Sequence, residues 1–221
     1  TTDGKTPTLA STALDTATDS LLVKDTSTIK MIAVKFGYKI SPVAIFKPKV
    51  KVDTSAVRST DTSATYYDST WVKFTRPKGS RIYYTINGTT PTSLSTAVDT
   101  TKDSILVKDT VTIRAVAIRA KQLNSVIELI KCKIKAQAPT VTLSPADTVT
   151  AAYGSQKIRM STATPSGTVR YTRDGTVPVV GSTAYVSTTP PAVTVGDTIF
   201  AITTKTNMIT SDTTALRFTA V

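Results

Sequence analysis

Lysine residues alternate with apolar residues in two runs of the chain, residues 47–52 and 130–135. Such alternation is typical of a strand that buries one face and leaves the other in water. The lysines are therefore expected on solvated faces, and Cys132, on the apolar face of the second run, is expected to be a small buried hydrophobe. Threonine supplies about one residue in five, which favours strands, and glutamate, a good helix former, occurs once, at Glu128. The pattern predicts an all-β protein.

A repeat with a period of roughly 85 residues runs through the chain. The segment TTDGKTP at residues 1–7 returns in related form at 85–91 and 172–178. A second motif, ending in Asp-Thr, follows each copy about twenty residues later. Asp-Gly or Asn-Gly between strand-like runs predicts a tight hairpin with a primed turn. The predicted turn residues are Asp3, Gly4, Asn87, Gly88, Asp174 and Gly175. A turn explains these acids better than calcium binding, because no second carboxylate stands at ligand spacing.

The repeat predicts three units: a partial β-sandwich at 1–46 and two further β-sandwiches at 47–134 and 135–221. The first unit lacks its opening strands, so either the chain continues upstream or another chain supplies them. The chain also lacks an initiating Met, as a mature, processed or partial chain would. Short junctions at 46–48 and 136–139 leave little flexible linker, which favours a stiff array.

Three segments resemble one known family. Residues 82–92 (IYYTINGTTPT) and 166–175 (SGTVRYTRDG) are similar to the YYTxDGxxPT signature of the chitobiase/β-hexosaminidase C-terminal domain, and residues 112–117 (TIRAVA) resemble its TIKAxA strand. The resemblance implies tandem immunoglobulin/fibronectin-III-like β-sandwich repeats without catalytic residues. Such modules occur in glycosidases, bacterial surface proteins and phage virion proteins. The chain departs from the signature with Asn87 for Asp and with Val177-Pro178-Val179 for xPT, and neither change threatens the turn.

The charge is strongly basic, with 27 Lys and Arg against 15 Asp and Glu and a net charge of +12. Because the basic residues are dispersed along strand faces, the preferred interpretation is that they keep those faces solvated. The second interpretation is a surface that faces a polyanion, such as a glycan, lipopolysaccharide or capsid. Specific nucleic-acid recognition is not expected. No apolar run reaches the roughly 18 residues of a membrane span.

The residue inventory argues against an enzyme. The chain contains no His and one Cys, which excludes Ser-His-Asp and Cys-His catalysis and Cys/His zinc sites. No Gly-rich phosphate loop is present, and the scattered acids lack flanking aromatic subsites. No catalytic residue, metal or cofactor is therefore predicted.

Aromatic residues offer the best candidates for binding. In the run from Trp71 to Phe74, Val72 and Phe74 correspond to inward positions, so Trp71 is expected to point outward. An exposed Trp stacks on a sugar ring or packs at a domain junction, and both interpretations stay open. Tyr66 and Tyr67 are candidates of the same kind.

Aspartate is followed by Ser or Thr at 12 of its 14 positions. Such pairs form turns between strands. Several also resemble the D-[S/T]-aliphatic acceptor motif for O-glycosylation of exported proteins in Bacteroidota, which would imply export. The candidate acceptors are Thr16, Ser20, Ser104, Thr110, Thr148, Thr198 and Thr213.

Together these observations predict a non-catalytic structural and interaction protein. It would form a rod or coat of β-sandwich modules, extracellular, on a bacterial cell surface or a phage virion. Its partners would be other protein subunits of that assembly, with glycans or other polyanions as further candidates. The alternative is a carbohydrate-binding accessory region of a larger secreted glycoside hydrolase.

Overall fold

The computed structural model describes residues 1–14, 18, 20–53, 63–143 and 156–218. In that part of the chain every regular element is a β-strand, which confirms the prediction of an all-β protein. No helix that could cross a membrane occurs among these residues. The strands in chain order are β1 (Ile29–Met31), β2 (Ala44–Phe46), β3 (Thr65–Tyr67), β4 (Thr70–Lys73), β5 (Arg81–Thr85), β6 (Thr96–Ala97), β7 (Ser104–Val107), β8 (Val111–Ile118), β9 (Glu128–Lys135), β10 (Thr140–Leu143), β11 (Gln156–Ser161), β12 (Thr168–Thr172), β13 (Thr183–Ala184), β14 (Ala192–Val193), β15 (Thr198–Thr204) and β16 (Thr214–Arg217).

The chain divides into two compact units, each made of three segments. The first consists of Thr1–Ser59, Lys73–Ser104 and Ile113–Ile130, and the second of Thr60–Val72, Ile105–Thr112 and Lys131–Val221. This division does not follow the sequence repeat. The three predicted repeats, with their boundaries after residues 46 and 134, stay a prediction.

In the first unit, β1 and β2 pair antiparallel, and β5 pairs antiparallel with both β6 and β8. Ile82 of β5 and Ile113 of β8 are buried, as alternation along a strand with one covered face requires. All three residues of β2 are exposed. The corresponding strand of the next repeat, β9, instead alternates between buried and exposed side chains.

Five strands form the largest sheet, in the order β3-β9-β8-β5-β6, and β4 pairs with β7 in a separate sheet. Strands β3 and β9 run parallel, with Thr65 opposite Lys133. Along β9, Lys131 and Lys133 are exposed while Cys132 is buried. The predicted solvated lysine face and buried cysteine are therefore confirmed.

The second unit shows two facing sheets, β10-β11-β14 and β13-β12-β15-β16. Each sheet supplies half of one core: the first gives Ile158, Met160 and Val193, and the second gives Val169, Ile199 and Ala201. Fully burying a side chain such as Ile stabilises the fold by about 1.5–3 kcal/mol. Two sheets closed over one apolar layer make a β-sandwich.

The prediction of a tight primed hairpin at the Asn/Asp-Gly motifs is wrong. Strand β5 next pairs with β6, Tyr84 lying opposite Thr96, so a long connection rather than two residues joins them. Positive φ occurs at Gly4 (80°), Gly88 (82°) and Gly175 (80°) but not at the preceding Asp or Asn, whereas a type I′ turn needs it at both positions.

The side chain of the motif's Asn or Asp explains the difference. Asn87 Oδ1 accepts the Thr89 N–H at 3.2 Å, which forms an Asx turn and takes a donor away from a hairpin ladder. Pro91, which is buried, has no N–H to resume the ladder. The same bond recurs from Lys5 to Asp3 and from Thr176 to Asp174, each at 3.1 Å.

Candidate functional site

The aromatic candidates lie on two strands that are consecutive in sequence but belong to different sheets, β3 and β4. Trp71 is 48% exposed on β4, next to the buried Val72, so its side chain lies on the outer face of that strand. Tyr67, at the end of β3, is also half exposed, and Tyr66 is half buried. The structure therefore offers accessible aromatic surface, and the stacking role stays a prediction.

The hydroxyl of Tyr67 is already used within the protein. It donates to Asp212 Oδ2 at 3.3 Å, and Lys135 Nζ donates to Asp212 Oδ1 at 2.5 Å. Lys135 is the main reason why the pKa of Asp212 lies below its usual range. A sugar at Tyr67 would therefore meet a hydroxyl that is engaged with a carboxylate.

An open depression of about 600 Å³ lies beside the third Asp-Gly motif, lined by Tyr171, Thr172, Arg173, Asp174, Gly181, Ser182, Thr183 and Asp197. Arg173 Nη2 and Asp197 Oδ2 form an ion pair at 3.2 Å. The pKa of Asp197 is lowered mainly by the Thr194 N–H, with Arg173 contributing. Arg173 corresponds to Ile86 in the second repeat, so this pair depends on repeat-specific residues.

The Asp-Ser/Thr pairs differ in their contacts: Asp25 and Asp99 begin local turns, whereas Asp103 and Asp212 accept hydrogen bonds from distant side chains. Asp99 Oδ1, for example, accepts both the N–H (2.9 Å) and the hydroxyl (2.7 Å) of Thr101. Thr110 Oγ1 donates to the Ile134 carbonyl and accepts the Ile134 N–H, both at 2.9 Å. Asp99 therefore begins a turn, while the Thr110 hydroxyl is used in a contact 24 residues away in sequence.

The predicted acceptors differ in accessibility. Ser20, Thr110 and Thr213 are exposed, whereas Ser104 and Thr198 are half buried on β7 and β15. The Thr110 hydroxyl, however, is hydrogen-bonded to the backbone of Ile134. Thr16 and Thr148 lie outside the described residues. Glycosylation stays a prediction, and Ser20 and Thr213 are the acceptors that a transferase would reach most easily.

A second turn, not identified from the sequence, occurs in all three repeats. The N–H of its fourth residue donates to the carbonyl of its first, and its third residue has positive φ. We call these turns the junction turns: Lys35–Tyr38, Arg119–Gln122 and Lys205–Met208. The three hydrogen bonds measure 3.1, 3.3 and 3.2 Å, and the positive φ values are 79° at Gly37, 58° at Lys121 and 62° at Asn207.

A buried or half-buried serine follows each junction turn. Its Oγ accepts the N–H of the residue eight positions earlier and donates to the carbonyl of the next residue. The three serines are Ser41, Ser125 and Ser211, and they accept from Ala33, Ala117 and Thr203, at 2.8 Å in each case. This repeated geometry could have been found from the sequence as a serine recurring 84 and 86 residues apart, but the varied residues around it conceal the signal.

The second junction turn is docked on the Asp-Thr motif of the first repeat. The Lys121 carbonyl accepts the N–H (2.6 Å) and the hydroxyl (2.8 Å) of Thr26. Gln122 Nε2 donates to the Lys24 carbonyl at 2.6 Å. Leu123 then forms a parallel bridge with Lys51. The charge of Lys121 also helps to lower the pKa of Asp25, which is lowered mainly by the Ser27 N–H.

The third junction turn repeats this contact one period later. The Asn207 carbonyl accepts the Thr110 N–H at 2.6 Å, and Ile209 forms a parallel bridge with Lys135. Thr26 and Thr110 occupy the same place in the repeat, as do Lys121 and Asn207. The chain therefore uses one docking contact twice, and this contact is the best-defined interaction surface among the described residues.

Comparisons with known proteins identify the domain type. Residues 61–128 and 144–215 each match the family model described as "Chitobiase/beta-hexosaminidase C-terminal domain". The matched segments follow one another and cover more than half of the chain, so the β-sandwich occurs in tandem.

No curated protein matches the chain in sequence. Among solved structures, the chain is similar to the fibronectin(III)-like modules of CbhA from Clostridium thermocellum, with 15% identity and a TM-score of 0.26, over 70% of this chain and 88% of that one. It is also similar to domains 7, 8 and 9 of the S-layer protein SbsC, with 13% identity and a TM-score of 0.27, over 90% of this chain and 70% of that one.

Proposed function

Because the chain belongs to the chitobiase/β-hexosaminidase C-terminal domain family, we propose that it is a non-catalytic structural and interaction protein. Its β-sandwich modules would build an array with other protein subunits, outside the cell, on a bacterial surface or a virion.

One observation supports the proposal: the same contact between repeated segments occurs twice, through Thr26 with Lys121 and through Thr110 with Asn207. A contact that recurs with the sequence period is what an array of the predicted repeats would use to hold them in order, as in repeat proteins whose units contact their neighbours. The parallel bridges at Lys51 and Lys135 add backbone pairing to each contact. Holding modules in order is a structural task and needs no reactive group.

The residue inventory supports the same conclusion. The chain has no His, one Cys and one Glu, so the common acid-base and nucleophilic groups are scarce. Its Cys132 is buried, and burial raises the pKa of its thiol, which disfavours the reactive thiolate. In the described part of the chain, no three His, Cys, Asp or Glu residues lie together as a metal site would require.

Antibody labelling tests the location. We expect an antibody raised against the chain to label the surface of intact producing cells or of released particles. Intact-mass measurement of the native protein belongs with it, because mass increments of sugars would establish both export and glycosylation. Labelling only after the cells are opened, with an unmodified mass, would contradict the proposal.

The second candidate is a carbohydrate-binding accessory module, favoured by the half-exposed Trp71 on β4. Affinity electrophoresis through gels that contain uncharged polysaccharides separates the two functions. A structural protein migrates as it does in a plain gel, and so does its Trp71→Ala variant. Retardation of the native chain that Trp71→Ala abolishes would establish glycan binding. Lys73→Ala, an exposed change on the same strand, is the matched control.

A further inference from the structure

The Asn-Gly motif of the second repeat places a side-chain amide before a glycine in an exposed loop. Residues 86–90 are all exposed, and Asn87 is the only Asn of the chain that glycine follows. The backbone nitrogen after an Asn can attack the side-chain amide, and glycine hinders that attack least because it has no Cβ. A Cβ at Gly88 would meet no other part of the protein within 4 Å, so the loop around the amide is open to water.

The Asx turn brings the two reacting groups towards each other. The Thr89 N–H donates to Asn87 Oδ1 at 3.2 Å, and the ring that this hydrogen bond closes contains the Gly88 nitrogen. The side chain of Asn87 is therefore folded over the nitrogen that would attack its Cγ. Holding reactants in the geometry of attack removes part of the entropic barrier to a reaction.

Two donors point at the oxygen on which negative charge would develop. Besides the N–H, the Thr89 hydroxyl donates to Asn87 Oδ1 at 2.7 Å. Attack of the Gly88 nitrogen on Cγ turns Oδ1 into an oxyanion, and donors already aimed at such an oxygen stabilise the transition state. The bonds that hold the turn are thus placed to assist the reaction.

The other two repeats show how the turn holds the product. They carry Asp3 and Asp174 where the second repeat has Asn87. Asp174 Oδ1 accepts the N–H and the hydroxyl of Thr176 at 3.1 and 2.7 Å, nearly the distances found at Asn87. An aspartate at position 87 would keep both hydrogen bonds, and its negative charge would strengthen them.

We propose that Asn87 is a site of spontaneous deamidation, which converts the second repeat to the aspartate form of the other two. The Gly88 nitrogen loses its proton and bonds to Asn87 Cγ, the bond from Cγ to Nδ2 breaks, and Nδ2 leaves as ammonia. Water then opens the cyclic succinimide. Its attack at Cγ gives aspartate, and its attack at the backbone carbonyl carbon gives isoaspartate, in which the main chain runs through Cβ. The reaction is independent of the proposed structural function, and it lowers the net charge of +12 by one.

Peptide mapping of the folded chain during prolonged incubation in neutral buffer tests the proposal. Trypsin releases residues 82–102 as one peptide, in which Asn87 is the only side-chain amide. Mass spectrometry measures the fraction of acid, chromatography separates aspartate from isoaspartate, and a sample taken before incubation corrects for conversion during digestion. We expect the acid forms to accumulate at Asn87 but not at Asn207, the only side-chain amide of the tryptic peptide 206–217.

Two variants separate the role of the turn from that of the Asn-Gly sequence. Thr89→Val removes the hydroxyl donor and keeps the N–H, so conversion of the folded chain should slow about three- to tenfold, the factor expected for one hydrogen bond in contact with water. Thr89→Ser keeps a hydroxyl and should retain the native rate. Circular dichroism verifies that each variant keeps the fold.

Unfolding in urea supplies the reference rate. We expect the folded native chain to convert at least as fast as the unfolded one, and Thr89→Val to have no effect in urea, where the turn is lost. Slower conversion in the folded chain would show that the turn protects the amide and would overturn the proposal. Equal rates for the folded native and Thr89→Val chains would also overturn it, because the donors of the turn would then not assist the reaction.

Discussion

Replacing Ser125 with alanine removes a hydroxyl that joins strand β8 to the loop after it. Ser125 Oγ accepts the Ala117 N–H at 2.8 Å and donates to the Val126 carbonyl at 2.9 Å. Ser125 and Ala117 are both buried, so water does not reach the amide that the substitution leaves without a partner. Val126 is exposed, so water can replace the serine hydroxyl as the donor to its carbonyl, and losing that hydrogen bond costs little.

The expected cost follows from that buried amide. A buried donor without a partner costs about 1–3 kcal/mol. We therefore expect Ser125→Ala to lower the free energy of unfolding by about 2 kcal/mol, a factor of roughly 30 in the folding equilibrium. Ser41→Ala removes the equivalent hydroxyl, which accepts the Ala33 N–H at the same distance of 2.8 Å. Ala33, unlike Ala117, is exposed. Water replaces the serine there, and the loss should stay below about 0.5 kcal/mol.

Urea unfolding followed by far-UV circular dichroism measures both variants, with hydrogen exchange of the peptide that contains Ala117 as a local readout. If the two units unfold separately, the comparison applies to the transition in which that peptide loses its protection. A loss below about 0.5 kcal/mol for Ser125→Ala, or an equal loss for Ser41→Ala, would show that burial of the amide does not set the cost.

Three further predictions concern other positions. Gly88→Ala should lower the free energy of unfolding by about 1–2 kcal/mol, since Gly88 has a φ of 82°, whereas Gly181→Ala, with ordinary φ and open space, should be nearly neutral; equal urea midpoints would contradict this. Thr176→Val should raise the pKa of Asp174, because the Thr176 hydroxyl, more than its N–H, holds that pKa below its usual range. The stability that this carboxylate supplies is present above its unfolded pKa of about 3.9 and is lost as pH falls through the lower folded value; a ¹³C NMR titration with no change of pKa would refute the assignment. Cys132, buried and with its thiol pKa raised, should react with a disulfide reagent far more slowly in the folded protein than in urea, and equal rates would contradict its burial.

Much of the fold could be read from the sequence because strand periodicity is local. The alternation around Cys132 indicated both its burial and the exposed lysines beside it, since each residue of a strand faces opposite to the next. The Asn87-Gly88 motif was recognised as a turn, but its type was not. The conformation depends on whether the Asn side chain captures the Thr89 N–H, which competes with hairpin pairing.

The docking contact between the Asp-Thr motif and the junction turn could not be predicted from local sequence patterns. The Asp-Thr motif was recognised as recurrent, but its role at Thr26 depends on the Lys121 carbonyl, a partner 95 residues away in sequence. Nothing in the local pattern of either segment indicates that pairing. Trp71, by contrast, was placed on an outer face by its alternation with Val72, and the structure confirms its exposure.

Composition, alternation and period thus determined the all-β class, the internal repeat and the absence of histidine chemistry, because each is a property of residue order or of residue counts. The tertiary structure decided which repeated segments touch. Junction turns dock on Asp-Thr motifs because folding brings distant backbone donors and acceptors within 3 Å.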